Sequence, residues 1–502
     1  MTEQNRHGVL ELAGVYLVLG LILLFQYSRA FGSEERFLFF ALMLAYLWTM
    51  GLLVYAKLRF SLSLLEPLFM ITALYEGIFV IKPMLDLRSG NMEEHGIPVL
   101  SGGGKATLLF AVGYTMMFFG YYTRQRMQFP GKRRQTGKGW EPDAQMIPWL
   151  YGAWSVTFLL CIGCMLSQGL SLRYIFSFGA EGIRSADEGN TALLFLSNFG
   201  ITFVVFWLMI LEYTPGRLGK IVTTALCTLY ILMRNARWLM LVFLLSPVIL
   251  YYRKRGREPR LLPTLLAAIG ALAVFAWMQA NRGALASGGA MGGWGAGGFT
   301  LEKLLAPLES DLSTYRTFYA MVLKYPSDYP YLLGSTFLYG LILFVPRALW
   351  KGKPDNPVRD MIEHALNRQA RASGTAVANI GECYANFGPV GVVILMYLFG
   401  RGAATLKRYC MEETVGKGSI MEILYAVSDP LLFQWVARGN FSGNVYITLF
   451  AWIPALLQCT IWERRRRYEN IGGAPGAAAL LPAGGGPERA WNALRLCYNG
   501  LL

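Results

Sequence analysis

YLLGSTFLYGLILFVPRALW, residues 331–350, is the stretch on which the topology of this chain turns. It is apolar and close to the roughly 20 residues that a helix needs to cross a bilayer. If it crossed, every later loop would change sides. Gly334, Ser335, Thr336, Gly340 and Pro346 interrupt it. We therefore read a re-entrant or interfacial helix, since non-helical backbone at that depth is tolerated where protein buries it.

The run lies inside Asn281 to Gly388, the long polar segment between apolar spans. Around it the chain is 54% hydrophobic and 15% charged over 502 residues, against about 25% charged in soluble domains. The reading is an all-α polytopic membrane protein with about twelve transmembrane helices. A β-barrel would show short alternating segments instead. The predicted spans are residues 8–27, 37–56, 67–84, 106–122, 147–166, 193–211, 221–233, 238–252, 261–278, 389–406, 420–436 and 445–462. No convincing small-x-small cleavage site follows the first, so it reads as an uncleaved anchor. Residues 1–462 form one transmembrane domain whose outer loop is 279–388. The Gly-, Ala- and Pro-rich tail, 463–502, reads as a disordered cytoplasmic segment.

Basic residues set the orientation. With the loop between Thr123 and Gln145 in the cytoplasm, Lys57/Arg59, Arg217/Lys220, Arg253–Arg257, Lys407/Arg408 and Arg464–Arg467 all fall inside. Both termini are then cytoplasmic, and the long segment faces outward. The net charge of +15 suits cytoplasmic loops on anionic lipid, and an anionic substrate as well. Cys161 and Cys164 form a CxxC inside an apolar run, which reads as helix packing rather than a redox site. Three histidines spread over the chain make no metal constellation. No cofactor and no nucleic acid is expected.

The chemistry concentrates in the outer segment. Gly288–Gly298 reads as a flexible connector. Beyond Pro307, Leu308, Leu312, Tyr315, Tyr319 and Val322 keep helical spacing, with Arg316 beside the stripe, and Pro326 ends that helix. Asn356-Pro357 starts another, which Gly374 is expected to end. On it His364, Arg368 and Arg371 fall at i, i+4 and i+7 and share a face, a solvated basic face or an anion-binding ridge. Glu382 lies just outside the tenth span, where a carboxylate at an apolar boundary suits general base work. It could equally be half of an ion pair. Arg234 and Arg237 occupy one tight outer turn and Arg438 another, as phosphate ligands or as residues snorkelling to headgroups.

These parts, taken in order, resemble the Wzy-type polymerases of bacterial O-antigen and capsule, the oligosaccharide repeat unit polymerases. The likeness runs from about Ile221 to Phe441. It rests on Arg234-Asn235-Ala236-Arg237, on Tyr331–Gly334, on Val345-Pro346-Arg347 with Lys351-Gly352-Lys353-Pro354, on Gly381–Gly388 (GECYANFG), and on Arg438-Gly439. The resemblance implies a metal-free, membrane-embedded glycosyltransferase of the GT-C kind in the bacterial plasma membrane. It would join oligosaccharide units carried on polyprenyl pyrophosphate at the outer leaflet, with a chain-length regulator as a further partner. Glu382 would be the base, with His364 second and Asp311 and Asp360 behind them. Arg237, Arg282, Arg347, Arg438, Arg234, Arg316, Arg368 and Arg371 would bind pyrophosphate. Tyr315, Tyr319, Tyr339 and Tyr384 would bind sugar faces. An O-antigen ligase shares this logic. A lipid-linked oligosaccharide flippase or other transporter is the reading from another class. It would carry charged residues deep within spans, of which Glu76 is the clearest case in the sequence.

Overall fold

A computed structural model describes residues 3–123, 146–167, 198–234, 237–256, 258–261, 312–343, 349–367, 375–411 and 420–472, with 263, 264, 266, 270 and 345. Arg282, Asp311, Arg347, Arg368 and Arg371 lie outside these residues. So do the connector 288–298, most of the predicted ninth span, the 124–145 loop and the 473–502 tail.

The described chain is mostly helical. Helices α1 to α8 are Glu3–Leu24, Ser33–Phe60, Pro67–Ser89, Leu100–Tyr122, Met146–Ser167, Phe199–Tyr213, Arg217–Arg234 and Arg237–Arg255. Short helices α9, α10 and α11 follow at Thr314–Lys324, Ser335–Ile342 and Pro357–Ala365. The long helices α12, α13 and α14 are Asn379–Met411, Ile420–Arg438 and Phe441–Gly472. Six of these helices contain stretches long and apolar enough to cross a bilayer: α2, α3, α5, α12, α13 and α14. The apolar parts of α1 and α6 are shorter.

Buried hydrogen bonds tie the first helices together. The π-helical turn at Gly77–Ile81 interrupts α3, and Glu76 stands just before it. Its carboxylate accepts from Tyr16 of α1 at 2.7 Å and from Thr49 of α2 at 3.0 Å. Glu76 is thus satisfied on both oxygens, as a buried carboxylate that holds helices together must be. Helix α4 lies along α12 at backbone contact. A side chain at Gly120 would run into the Tyr397 carbonyl, and one at Gly400 into that of Met117. Small residues let helices approach in this way where the surroundings are as apolar as the side chains.

Contacts sort the connections into two ends. At one end Lys57 pairs with Glu258 at 3.1 Å, Lys407 with Glu66 at 2.7 Å, and Lys254 with Glu212. Tyr397 there donates to Thr123 at 3.1 Å. At the other end Arg88 reaches Gln26 at 2.9 Å, and His95 lies 3.0 Å from Thr375. Arg316 pairs with Asp86 there at 2.5 Å.

The described residues of the 331–350 run form no spanning helix. Its helical part, α10, has eight residues, about 12 Å at 1.5 Å per residue, against a hydrocarbon core of about 30 Å. Lys353 then folds back, and its Nζ donates to the carbonyls of Leu343 and Val345 at 3.0 Å each.

Two expectations need correction. The tenth span opens at Asn379 rather than Pro389, so Gly381–Asn386 of GECYANFG is helical and not loop. Helix α11 ends at Ala365 rather than Gly374, because Leu366 leaves helical geometry. Asn367 is drawn to the His95 carbonyl at 2.7 Å. Of the ridge expected from His364, Arg368 and Arg371, α11 carries His364, and the two arginines lie outside the described residues. Finally, a β-hairpin pairs Glu93–Glu94 with Ile97–Pro98, with positive φ at both His95 and Gly96, the signature of a tight primed turn.

The two-end arrangement has a direct check. Cysteines placed at exposed Ser33, Ser101 and Ser327 are expected to react with an impermeant thiol reagent from the same side of the membrane, and one at exposed Ser61 from the opposite side. Labelling of Ser61 together with the other three would refute it.

Candidate functional site

Helix α12 breaks eight residues after it starts. Phe387 (φ −139°, ψ 15°) and Gly388 (φ 63°, ψ −152°) leave helical geometry. Pro389 then opens the second half, since it lacks an N–H and its ring clashes with a preceding turn. Gly388 sits in the left-handed half of backbone space, and a Cβ there would meet the Tyr331 hydroxyl at 2.6 Å. The break releases carbonyls, and the 331–334 loop satisfies them. Leu332 N–H donates to Ala385 O and Leu333 N–H to Asn386 O, both at 3.0 Å. The Asn386 side chain completes the latch. Its Oδ1 accepts from Gly334 N–H at 3.0 Å, and its Nδ2 donates to Thr336 Oγ1 and to Glu382 O at 2.8 Å each.

Glu382 is one turn before the break and 2% exposed. Its Oε2 accepts from Phe441 N–H at 3.0 Å, the first residue of α14. A helix N-terminus offers unpaired N–H groups and a positive dipole end, which favour a carboxylate. The Thr336 hydroxyl lies beside the carboxylate, yet Oε1 has no partner of hydrogen-bond geometry. Among the described residues Glu382 forms no ion pair. It lines a groove of about 530 Å³. From α12 the groove receives Leu395, Leu398, Phe399, Gly402, Ala403 and Leu406, a stripe at i, i+3, i+4, i+7, i+8 and i+11. Leu432 and Trp435 of α13 face it, with Phe337 of α10 and Phe441 of α14. Arg438 closes α13 three residues before Phe441. Gly439 lets that turn lie on the backbone of Val377 and Ala378, where a Cβ would be 2.5 Å from Val377 O.

The structure thus brings the Arg438 turn to Glu382, and it gives Arg316, Tyr315, Tyr319, Tyr339, Tyr384 and His364 contacts of their own. Arg316 is 7% exposed. Its Nη2 lies 2.5 Å from Asp86 Oδ2, which also accepts from Tyr315 at 2.6 Å, while Lys82 holds Oδ1 at 2.7 Å. Burial works against the Arg316 charge, and the Tyr315 and Asp86 oxygens beside it more than compensate, holding its pKa above the usual value. Burial and the Asp86 carboxylate push the Tyr315 hydroxyl up. Tyr319 is buried, with its hydroxyl 3.4 Å from Thr107. Tyr384 is buried and donates to Tyr325 O at 2.9 Å. Tyr339 is 8% exposed, with Lys353 over its ring. These rings are scaffold rather than open platforms for a sugar. His364 stacks on Tyr329 with centroids 4.2 Å apart and meets Tyr325 Oη at 3.2 Å. Asp360 stands in the first turn of the same helix, α11. Arg234 closes α7 and Arg237 opens α8, and the two residues between them lie outside the described residues.

Two residues went unnoticed in the sequence. Asp429 lies within α13, is 1% exposed, and has no hydrogen-bond partner on either oxygen. Its predicted span was read as apolar, and a lone Asp before a Pro gave no pattern to find. Asn386 stood inside the GECYANFG motif without a role, because its partners lie 50 residues upstream.

The Asp86–Arg316 pair generates a stability test. Asp86→Ala removes the short partner of the buried Arg316 guanidinium and leaves it Glu94 at 3.5 Å, so the expected cost is up to about 3 kcal/mol, read as a lowered midpoint of thermal unfolding in detergent. The Asp86→Leu/Arg316→Met double variant should recover most of that loss. An Asp86→Ala protein as stable as wild type would remove the pair from the scaffold. No protein-family model, curated protein or solved structure matches this chain.

Proposed function

We propose that this protein is a membrane-embedded GT-C-type glycosyltransferase that joins polyprenyl-pyrophosphate-linked oligosaccharide repeat units into O-antigen, capsule or exopolysaccharide. The reading places it in the bacterial plasma membrane, with about twelve spans and the Glu382 end outward. The basic residues Lys57, Arg59, Arg253, Lys254, Lys407 and Arg408 all belong to the opposite end or its helix termini, which supports that orientation. The observation that carries the function is Glu382: one oxygen anchored on a helix N-terminus, the other unpartnered, at the head of an apolar groove.

The groove offers the polyprenyl chain a path along α12. Glu382 Oε1 takes the proton of the acceptor hydroxyl as its oxygen bonds to the anomeric carbon of the donor sugar. The bond from that carbon to the pyrophosphate breaks, and the electron pair leaves with polyprenyl pyrophosphate. A guanidinium stabilises this developing charge bidentately. Arg438, three residues before the Phe441 N–H that holds Glu382, is the first candidate, and Arg234, Arg237, Arg282, Arg347, Arg368 and Arg371 complete the set. The ligase reading differs in its acceptor and uses the same step.

A carrier is the second reading, and Asp429 favours it. A buried carboxylate with two open oxygens inside a spanning helix is what an ion or proton path displays, and Glu76 alone did not suggest one.

Purified protein with lipid-linked repeat units separates these readings. Wild type should give a ladder of products. Glu382→Gln should lower turnover about 10²- to 10⁴-fold, at unchanged abundance. Arg438→Lys should impair it too, because lysine offers a point charge in place of the fork. Near-wild-type turnover of Glu382→Gln would remove it as the base. Translocation without bond formation, lost in Asp429→Asn, would establish the carrier.

A further inference from the structure

Asn379 stands one turn before Glu382 on α12 and lines the same groove. Its amide is fixed in one orientation. The Ile380 N–H lies 2.9 Å from one side-chain atom. A backbone N–H can only donate, so that atom is the oxygen. The Tyr75 hydroxyl donates to the same Oδ1 at 2.8 Å. Tyr75 is completely buried on α3, directly before Glu76. With the oxygen held twice, the NH2 group is the part left for the groove, and it has no protein partner among the described residues. At the head of the groove Asn379, with Nδ2 unpartnered among the described residues, therefore stands one turn before Glu382, whose Oε1 is buried without a hydrogen-bond partner.

That pair has a chemical specificity. A hydroxyl donates and accepts at a single atom. A pyrophosphate or ether oxygen only accepts and would set its lone pairs against the carboxylate. An ammonium only donates and would face the amide hydrogens. We propose that Asn379 and Glu382 together hold the acceptor sugar hydroxyl, Nδ2 donating to its oxygen and Oε1 accepting its proton, with Tyr75 as the positioning residue behind Asn379. This rests on the glycosyl-transfer reading above. Asn379 orients a lone pair of the hydroxyl away from the line of attack and fixes which hydroxyl meets the base, so its effect falls on the acceptor and not on the donor.

The test uses full-length protein in nanodiscs and repeat units on their polyprenyl pyrophosphate, with donor and acceptor varied separately. Asn379→Ala should raise the acceptor KM about 10-fold, as for loss of one to two hydrogen bonds, with the donor KM unchanged. Asn379→Asp keeps both bonds to Oδ1 and suits the first turn of a helix, so it folds, yet it replaces the donor by an oxygen and should show the same loss. Tyr75→Phe should raise the acceptor KM about 3-fold and add nothing in an Asn379→Ala background, which a merely structural tyrosine would not do. An acceptor KM within about twofold of wild type in Asn379→Asp would overturn the pair. A full additional loss from Tyr75→Phe in the Asn379→Ala protein would overturn the positioning role. If wild type makes no polymer, the transfer reading fails, and the pair is tested by itself with monomeric octyl glucoside, followed by the fluorescence of groove residue Trp435 against Trp435→Phe. Binding weakened about 10-fold by Asn379→Asp supports the hydroxyl pair there, and equal binding by wild type and Asn379→Asp refutes it.

Discussion

The Asn386 side chain makes the bonds on which the candidate site depends. It fastens Gly334 of the 331–334 loop and Thr336 of α10 to the carbonyl of Glu382, just where α12 loses its own hydrogen bonding. A helix broken inside an apolar surrounding must find partners for the carbonyls it frees. The loop supplies them through Leu332 and Leu333, and α10 starts directly after. The Ser442 hydroxyl at the start of α14 donates to Thr336 O at 2.5 Å. The break, the short helix and the α14 N-terminus are thus one hydrogen-bonded unit, and Glu382 points into the place where they meet.

The buried carboxylates of this chain sort by how well they are satisfied. Asp86 holds Lys82, Tyr315 and Arg316, and Glu76 holds Tyr16 and Thr49. Such groups have been desolvated and fully repaid by donors, which is what scaffold requires. Glu382 keeps one oxygen open and Asp429 keeps both. A buried oxygen without a donor is costly, and a fold retains one where a substrate, proton, ion or water completes it. By this measure Arg316 belongs with the scaffold despite lying beside the predicted aromatic stripe.

The sequence made the helices legible because each is a local pattern. Apolar length, basic flanks, the Asn356-Pro357 start and the two-residue gap between Arg234 and Arg237 need no knowledge of distant residues. The features that escaped depend on distant partners. Helix α11 stops early because Asn367 is bonded to His95, 272 residues away in sequence. The hairpin that carries His95 has two-residue strands, too short for an alternating pattern to show. Glu382 could be singled out as a carboxylate near an apolar run. Its placement inside a helix could not, since Phe387-Gly388-Pro389 reads as a helix start with equal ease. Asn379 carried no signal, because its value lies in Tyr75, 304 residues upstream.

The groove has a direction, and this bears on what can occupy it. Ser428, Asn444 and Thr448 are polar residues on its wall, but each is engaged. Ser428 accepts from Trp452 at 2.8 Å, Thr448 donates to Asn444 O at 2.9 Å, and Asn444 Nδ2 reaches Gln434 O at 3.5 Å. The open donor and acceptor, Asn379 Nδ2 and Glu382 Oε1, are both in the first turn of α12. From Leu395 to Leu406 the α12 wall is a stripe without charge, about 16 Å long at 1.5 Å per residue. A ligand that is polar throughout would leave its groups unpaired along that stripe, and one that is apolar throughout would leave the carboxylate and the amide unpaired at the head. An amphiphile laid along α12 with its hydroxyl-bearing end at Glu382 satisfies both, and that polarity places any transfer chemistry at the end of the bundle where the Arg438 turn stands.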